Sequence, residues 1–356
     1  MTLEAESLVS EHDCLLLDLD GTVYRGAEPV EGAVATLTGL GVKTLFVTNN
    51  ASRGPGEVAA RMQRMGFTLD DGDVVTSAQS AARLLASRLS PGARVLVVGA
   101  DALRGEVSGV GLRPVRSAAD GAVAVVQGHS TRTGWDDLAE AALTIRAGAW
   151  WLATNLDDSL PTERGLLPGN GSMVAALRAA TGLIPDVAGK PQPAILHDAL
   201  TRGRFRSPLV VGDRLDTDIA CANAAGLPSL LVCSGVTTPG DLLAATVEQR
   251  PTHVAPDIRS LESPSASTRI CQQPRWRVDV DGAVVTVLST GTADEDDGLS
   301  IIRAIAHQLW QVDAGGGGGM PVICAGDDDA RRALAASSVS TASVVLPRGS
   351  SLGLWR

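Results

Sequence analysis

The residues most able to do chemistry are Asp18 and Asp20, in the run Asp18-Leu19-Asp20-Gly21-Thr22 directly behind the apolar stretch CLLL. Cys14–Leu19 predicts a buried strand, and residues two apart on a strand point to the same side. Both carboxylates are therefore expected at the carboxyl end of that strand, where open α/β sheets place their ligands. Gly21 permits a sharp turn there. Two carboxylates so close repel each other unless a cation sits near them. An all-oxygen site that keeps waters and accepts a phosphate oxygen suits Mg²⁺. The plain alternative is a solvated turn that happens to carry two aspartates; the buried strand before it and the glycine after it weigh against that.

Three further stretches have the same look. Thr48-Asn49-Asn50 ends the strand candidate TLFVT, Gly189-Lys190-Pro191 carries a lone cation, and Gly212–Asp218 (GDRLDTD) follows the strand candidate PLVV. Their spacing is informative. From 18 to 48 is the length of one strand and helix, and so is 190 to 213. From 48 to 190 is far longer, which predicts an inserted domain of about a hundred residues.

Together DLDGT, VTNN, GKP and GDRLDTDI resemble the four motifs of the haloacid dehalogenase superfamily, in its NagD-like class IIA, over roughly residues 10–260. The resemblance implies an α/β fold: a Rossmann-like core with a parallel sheet and an inserted α/β C2-type cap. It implies Mg²⁺ as cofactor, Asp18 as nucleophile through an aspartyl-phosphate, and Asp20 as general acid and base. The metal ligands would be Asp18, Asp20 through its backbone carbonyl, and Asp213. Thr48, Asn49 and Lys190 would hold the phosphate, Lys190 offsetting its charge. Asp218 would stand behind the direct ligands and orient water at the metal, while Asp216 reads as a helix cap.

These residues need elements to position them. Short apolar runs recur at Val74–Thr76, Arg94–Val98, Ala122–Val126, Trp150–Ala153, Pro208–Val211 and Ser229–Val232, separated by helical stretches such as Gly56–Met65 and Ala78–Arg88. That alternation predicts parallel sheet covered on both faces. The core is expected over 1–80 and 185–260, the cap over 81–184, and a linker over 261–274. Beyond it, Trp276–Val280 and Ala283–Leu288 flank Asp281-Gly282, a hairpin signal. Leu299–Val312 and Asp328–Ala336 read as helices, Val322–Ala325 as a strand, and Gly315–Gly319 as a loop tip. Residues 275–356 thus form a small α+β appendix.

Composition narrows the partners. A formal net charge of −10 argues against nucleic acid or anionic membrane. The cysteines Cys14, Cys221, Cys233, Cys271 and Cys324 lack any CxxC spacing, so neither zinc nor disulfides are indicated. The acidic start MTLEAESLVSEHD is no signal peptide, and a cytoplasmic enzyme is expected.

A roofed site favours a small phosphorylated metabolite, and few aromatics leave little for a ring to stack on. His129, Arg132, Asn155 and Asp157 are the candidate readers of the leaving group, and Arg25 stands near the mouth. Core, cap and appendix together resemble actinobacterial glycerol-3-phosphate phosphatases, whose C-terminal piece is similar to part of a GNAT acetyltransferase. Glycerol 3-phosphate is accordingly the expected substrate, and a homodimer is possible in this class. The alternatives are a 4-nitrophenyl, pyridoxal, nucleotide or sugar monophosphatase, or a bifunctional or regulatory protein whose appendix binds acetyl-CoA. The appendix lacks the [QR]xxGx[GA] turn that such binding needs.

Overall fold

The computed structural model describes residues 6–162, 164–293, 297–312 and 322–337. The glycine run 315–319 and the C-terminal PRGSSLGLWR lie outside the described residues.

Six parallel strands make the first sheet, in the order His253–Ala255, Ser229–Val232, Pro208–Gly212, Cys14–Leu17, Lys43–Thr48 and Val74–Thr76. The Cys14–Leu17 strand sits inside this sheet and is buried throughout, so its sequence has no polar alternation. Leu15 and Leu17 face one apolar layer with Val58, Met62 and Ile258. Cys14 and Leu16 face the other, with Ile195, Leu196 and Cys221.

A second, five-stranded parallel sheet is inserted between Val74–Thr76 and Pro208–Gly212. Its order is Asp186–Val187, Trp150–Ala153, Ala124–Gln127, Arg94–Val98 and Arg113–Val115. The helix Ser77–Arg88 joins the two bodies. It packs on the core helix Ala194–Leu200 and on the cap helix Asp101–Gly109, and Thr76 caps its start by accepting from the Gln79 backbone N–H. Beyond the cap sheet, Ser159–Thr162 and Gly165–Pro168 form an antiparallel hairpin that the sequence patterns did not single out.

The segment expected as a linker is packed instead. A short helix covers Ser265–Thr268, with Ser265 and Thr268 buried. The Leu8 backbone N–H donates to Ser263 O at 2.8 Å, and the Thr268 hydroxyl meets Nδ1 of His253 at 2.9 Å. The short polar residues of SPSAST read as flexible, but the Ser263 carbonyl and the Thr268 hydroxyl find partners distant in sequence, which propensity does not anticipate.

The appendix pairs Trp276–Asp281 with Val284–Ser289 as a hairpin, and Val322–Ala325 adds in parallel. Among the described residues its apolar side chains form no separate core. Trp276, Val285, Val287, Ile301, Ile302 and Ile305 share one cluster with Leu231 and Val254 of the first sheet and with Leu215 and Leu242 of the helical segments beside it. Arg303, in the helix Ser300–Val312, is 1% exposed. Its guanidinium donates to Val254 O at 3.2 Å and pairs with Asp297. Among the described residues no helix is long and apolar enough to cross a membrane.

Candidate active site

Three strand ends of the first sheet converge on one cavity. Asp18 directly follows Leu17, and its backbone N–H donates to Val211 O at 2.9 Å. Thr48 ends its strand, and Asp213 follows Gly212. With Lys190, arriving from behind the cap strand Asp186–Val187, and Asp218, the carboxylates of Asp18 and Asp213 form a buried charge cluster beside Thr48. Asp18, Thr48, Lys190 and Asp218 line a cavity of about 330 Å³ with Asp20, and cap residues roof it.

The strand stops one residue short of Asp18, so Asp20 is not on it and the expectation that both lie on one strand face fails. Thr22, Val23 and Tyr24 instead donate their backbone N–H groups to Leu19 O, folding a tight turn. That turn brings Asp20 to the same cavity. Its carboxylate stays out of the buried cluster: Oδ2 accepts from the Tyr24 hydroxyl at 3.5 Å.

Lys190 is 4% exposed. Its ammonium pairs with Asp18, with Asp218 at 2.6 Å, and with Val47 O at 3.1 Å. Burial pulls its pKa down, but Asp18 and Asp218 outweigh that and hold it above the usual lysine range. Burial, then the Asp218 charge, pushes Asp18 well above the carboxylate range, against the pull of Lys190. Burial, then Asp218, likewise raises Asp213 to about 6.

Oxygens of Asp18, Asp213 and Asp218 lie within 4.8 Å of one another. Three carboxylates against one ammonium leave a negative excess that a divalent cation would neutralise, and an all-oxygen set suits Mg²⁺. The surrounding backbone is shaped to that end. A Cβ on Gly235 would lie 1.9 Å, and one on Gly21 2.4 Å, from Oδ2 of Asp213. Only glycine lets both loops close on this carboxylate. The residues therefore fit the metal, with the Asp218 carboxylate standing beside those of Asp18 and Asp213.

Asn49 departs from its expected role. Its Nδ2 donates to Asp157 Oδ1 at 3.2 Å and Lys190 O at 3.1 Å, while its Oδ1 accepts from the Lys190 N–H at 2.8 Å. Both amide donors are used, so the side chain braces core, cap and lysine loop instead of offering a donor to phosphate. Thr48 remains at the cavity, its Oγ1 accepting from the Asn50 N–H at 3.1 Å.

The cap candidates separate. His129, Asn155 and Asp157 line the cavity. Burial lowers the His129 pKa and raises that of Asp157. Asn155 Nδ2 donates to Asn49 O at 2.7 Å. Arg132 is not at the site; it is exposed and pairs with Asp101 at 2.6 Å on the cap surface. Asp216 does not cap a helix but makes a two-pronged pair with Arg214, at 3.0 and 2.8 Å. Arg25 lines the mouth.

Sequence reasoning missed Ser159, Asn170 and Arg214, which also line the cavity. Asn170 is 1% exposed, and its Nδ2 donates to Asn155 O at 2.7 Å. Only Arg214 had a signal, its place between Asp213 and Asp218. Ser159 begins a hairpin that carries no motif, and Asn170 opens the helix after it.

A buried lysine between carboxylates, at the carboxyl end of a parallel sheet and beneath an inserted cap, defines a phosphoryl-transfer site. The chain belongs to the haloacid dehalogenase-like hydrolases and is a phosphatase: residues 15–113 match the family's haloacid dehalogenase-like hydrolase description and 187–261 its HAD-hydrolase-like one. It is 59% identical over 313 residues to the D-glycerol 3-phosphate phosphatase of Mycobacterium tuberculosis, covering 87% of this chain and 89% of that one. The crystal structure of glycerol phosphate phosphatase from that organism in complex with magnesium superposes with a TM-score of 0.90 at 57% identity, over 94% of this chain and 100% of the other. An acid sugar phosphatase of Staphylococcus saprophyticus is 35% identical, over 71% of this chain and 98% of its own length. Residues 273–339 match a GCN5-related N-acetyltransferase like domain.

Proposed function

We propose that the protein hydrolyses glycerol 3-phosphate to glycerol and phosphate in the cytoplasm, with Mg²⁺ as cofactor. The observation that carries the chemistry is the Lys190 bridge between Asp18 and Asp218 at the cavity floor. Lys190 holds Asp18 in place and presents positive charge to the phosphate oxygens, and the Thr48 hydroxyl adds a donor. Asp18 attacks phosphorus and becomes an aspartyl-phosphate, Asp20 gives the leaving alkoxide a proton, and Asp20 then takes one from the attacking water. Asp18 and Asp213, with the Asp218 carboxylate beside them, would hold Mg²⁺, and the Asp20 backbone carbonyl is the further ligand that the family resemblance implies. When bound, the ion supplies positive charge against the transferring phosphoryl group.

Two observations support glycerol 3-phosphate. A cavity of about 330 Å³ suits a small ester, and among the described residues its lining includes no Phe, Tyr or Trp against which a pyridoxal or nucleobase ring would stack. Its cap side instead offers His129, Asn155, Asp157, Ser159 and Asn170, hydrogen-bonding groups matched to hydroxyls. The name of the mycobacterial relative points the same way. The appendix serves as a packing element of the core. Exposed apolar side chains on the cap, Trp135, Leu166 and Ile184, suit a homodimer.

A panel of phosphate esters assayed with Mg²⁺ tests this reading. Glycerol 3-phosphate should give the highest kcat/KM against 4-nitrophenyl, pyridoxal, nucleoside and sugar phosphates; a clear preference for another ester removes the substrate assignment. Asp18→Asn should abolish turnover of every ester, and retained turnover removes the nucleophile assignment.

A further inference from the structure

Asp20 has two carboxyl oxygens, and only one of them can meet the leaving group. Tyr24, the one tyrosine in the chain, distinguishes them. Its ring is buried and its hydroxyl donates to Oδ2 of Asp20 at 3.5 Å. The turn holds its backbone at both ends: its N–H donates to Leu19 O at 3.2 Å and its carbonyl accepts from Gly21 N–H at 2.8 Å. Arg61 of the helix Pro55–Arg64 lies over the ring, 4.9 Å from its centroid. The same guanidinium donates to Gly26 O, on the hairpin that carries Arg25 to the cavity mouth.

Resting on the general-acid reading of Asp20, we propose that Tyr24, braced by Arg61, is a positioning residue that reserves Oδ2 of Asp20 and leaves Oδ1 to exchange the proton with the leaving group. As the ester P–O bond breaks and the Asp18 O–P bond forms, the Oδ1 proton passes to the departing oxygen and Asp20 becomes a carboxylate. The Tyr24 hydrogen bond then goes from a neutral to an ionised acceptor, and bonds to ionised groups are stronger. The contact therefore strengthens along the reaction, the condition under which an interaction accelerates a step instead of only tightening binding. A phenol keeps its proton at neutral pH, so the hydroxyl acts as the donor throughout.

The test compares two leaving groups in the full-length enzyme with Mg²⁺. An alkoxide needs protonation as it departs; 4-nitrophenolate needs little. Tyr24→Phe should lower kcat/KM for glycerol 3-phosphate about tenfold more than for 4-nitrophenyl phosphate, a modest part of what general acid catalysis contributes. Arg61→Met, at a half-buried helix position, should show the same selectivity to a smaller degree, and it carries the test if Tyr24→Phe does not fold. Asp20→Asn calibrates the scale with the largest selectivity. Equal losses on both esters in Tyr24→Phe and Arg61→Met, with Asp20→Asn selective, overturn the positioning role and leave the acid assignment standing. Equal losses in Asp20→Asn overturn the acid assignment and the proposal with it.

Discussion

Gly235→Ala tests whether the Asp213 carboxylate is held by backbone shape. The added Cβ would lie 1.9 Å from Oδ2, 2.3 Å from Cγ and 2.5 Å from Cβ of Asp213, where ordinary contact begins at 3.4 Å. Either the carboxylate or the loop must therefore yield by about 1.5 Å, while metal ligation tolerates displacements of only ~0.2 Å. If the loop yields, the Val236 N–H, which donates to Oδ2 at 2.7 Å, leaves with it. Loss of a group that orients a metal ligand typically costs about 10–100-fold in metal affinity, or roughly 1.4–2.7 kcal/mol. Gly235 is exposed and outside any helix or strand, so the fold should survive. The assay is turnover of 4-nitrophenyl phosphate against Mg²⁺ concentration, with thermal melting in a chelator as the control for folding. The variant should need about 10–100-fold more Mg²⁺ for half-maximal rate, with a melting temperature near that of the wild type. A half-saturating concentration within about twofold of wild type would refute the reasoning, because it would mean that the carboxylate is not seated against this loop.

Lys190→Met should cost roughly 3–5 kcal/mol of stability, because it leaves Asp18 and Asp218 buried and facing each other without their cation. Chemical denaturation in the absence of metal should show this together with loss of turnover, and unchanged stability would count against a structural role for the bridge. His253 is 3% exposed, and burial, then Arg269, His12 and Arg303, lowers its pKa from 6.5 to about 4. The folded protein thus binds less proton than the unfolded chain between those values, so this contribution is complete above about pH 6.5 and lost as pH falls towards 4, at most about 3 kcal/mol. Urea midpoints from pH 7 to 4.5 should fall less steeply in His253→Gln than in the wild type, and parallel profiles would dismiss the effect. Removing residues from 273 onward should yield aggregated protein, because Leu215, Leu231, Leu242 and Val254 lose their cover; a monodisperse truncation by light scattering would contradict a shared core.

Much of the chain was legible because the local patterns are strong. CLLL, TLFVT, RVLVV, WWLA, PLVV and SLLV all became strands within a residue or two, since runs buried on both faces have little other use at that length. The Asp281-Gly282 turn gave its hairpin, with Asp281 opposite Val284. The hairpin Ser159–Pro168 was not legible, because SLPT and GLLP have neither alternation nor a tight-turn pair. The linker was misread because the burial of Ser265 and Thr268 depends on partners distant in sequence, such as His253.

At the site, the motifs alone identify the reaction. Asp18, Lys190 and Asp213 are fixed by motifs whose spacing follows from strand and helix lengths, and no fold detail was needed to bring them to one sheet edge. Tertiary structure alone decided how the remaining groups are used. Asn49 proved to be a brace because its amide meets a cap aspartate and a lysine loop more than a hundred positions away. Arg132 left the site because its helical neighbour Asp101 captures it at the surface, and Asn170 joined because the inserted cap folds over the core. The appendix became part of the core for the same reason. Such outcomes depend on contacts between segments remote in the chain, and a linear pattern carries only the preferences of each segment taken alone.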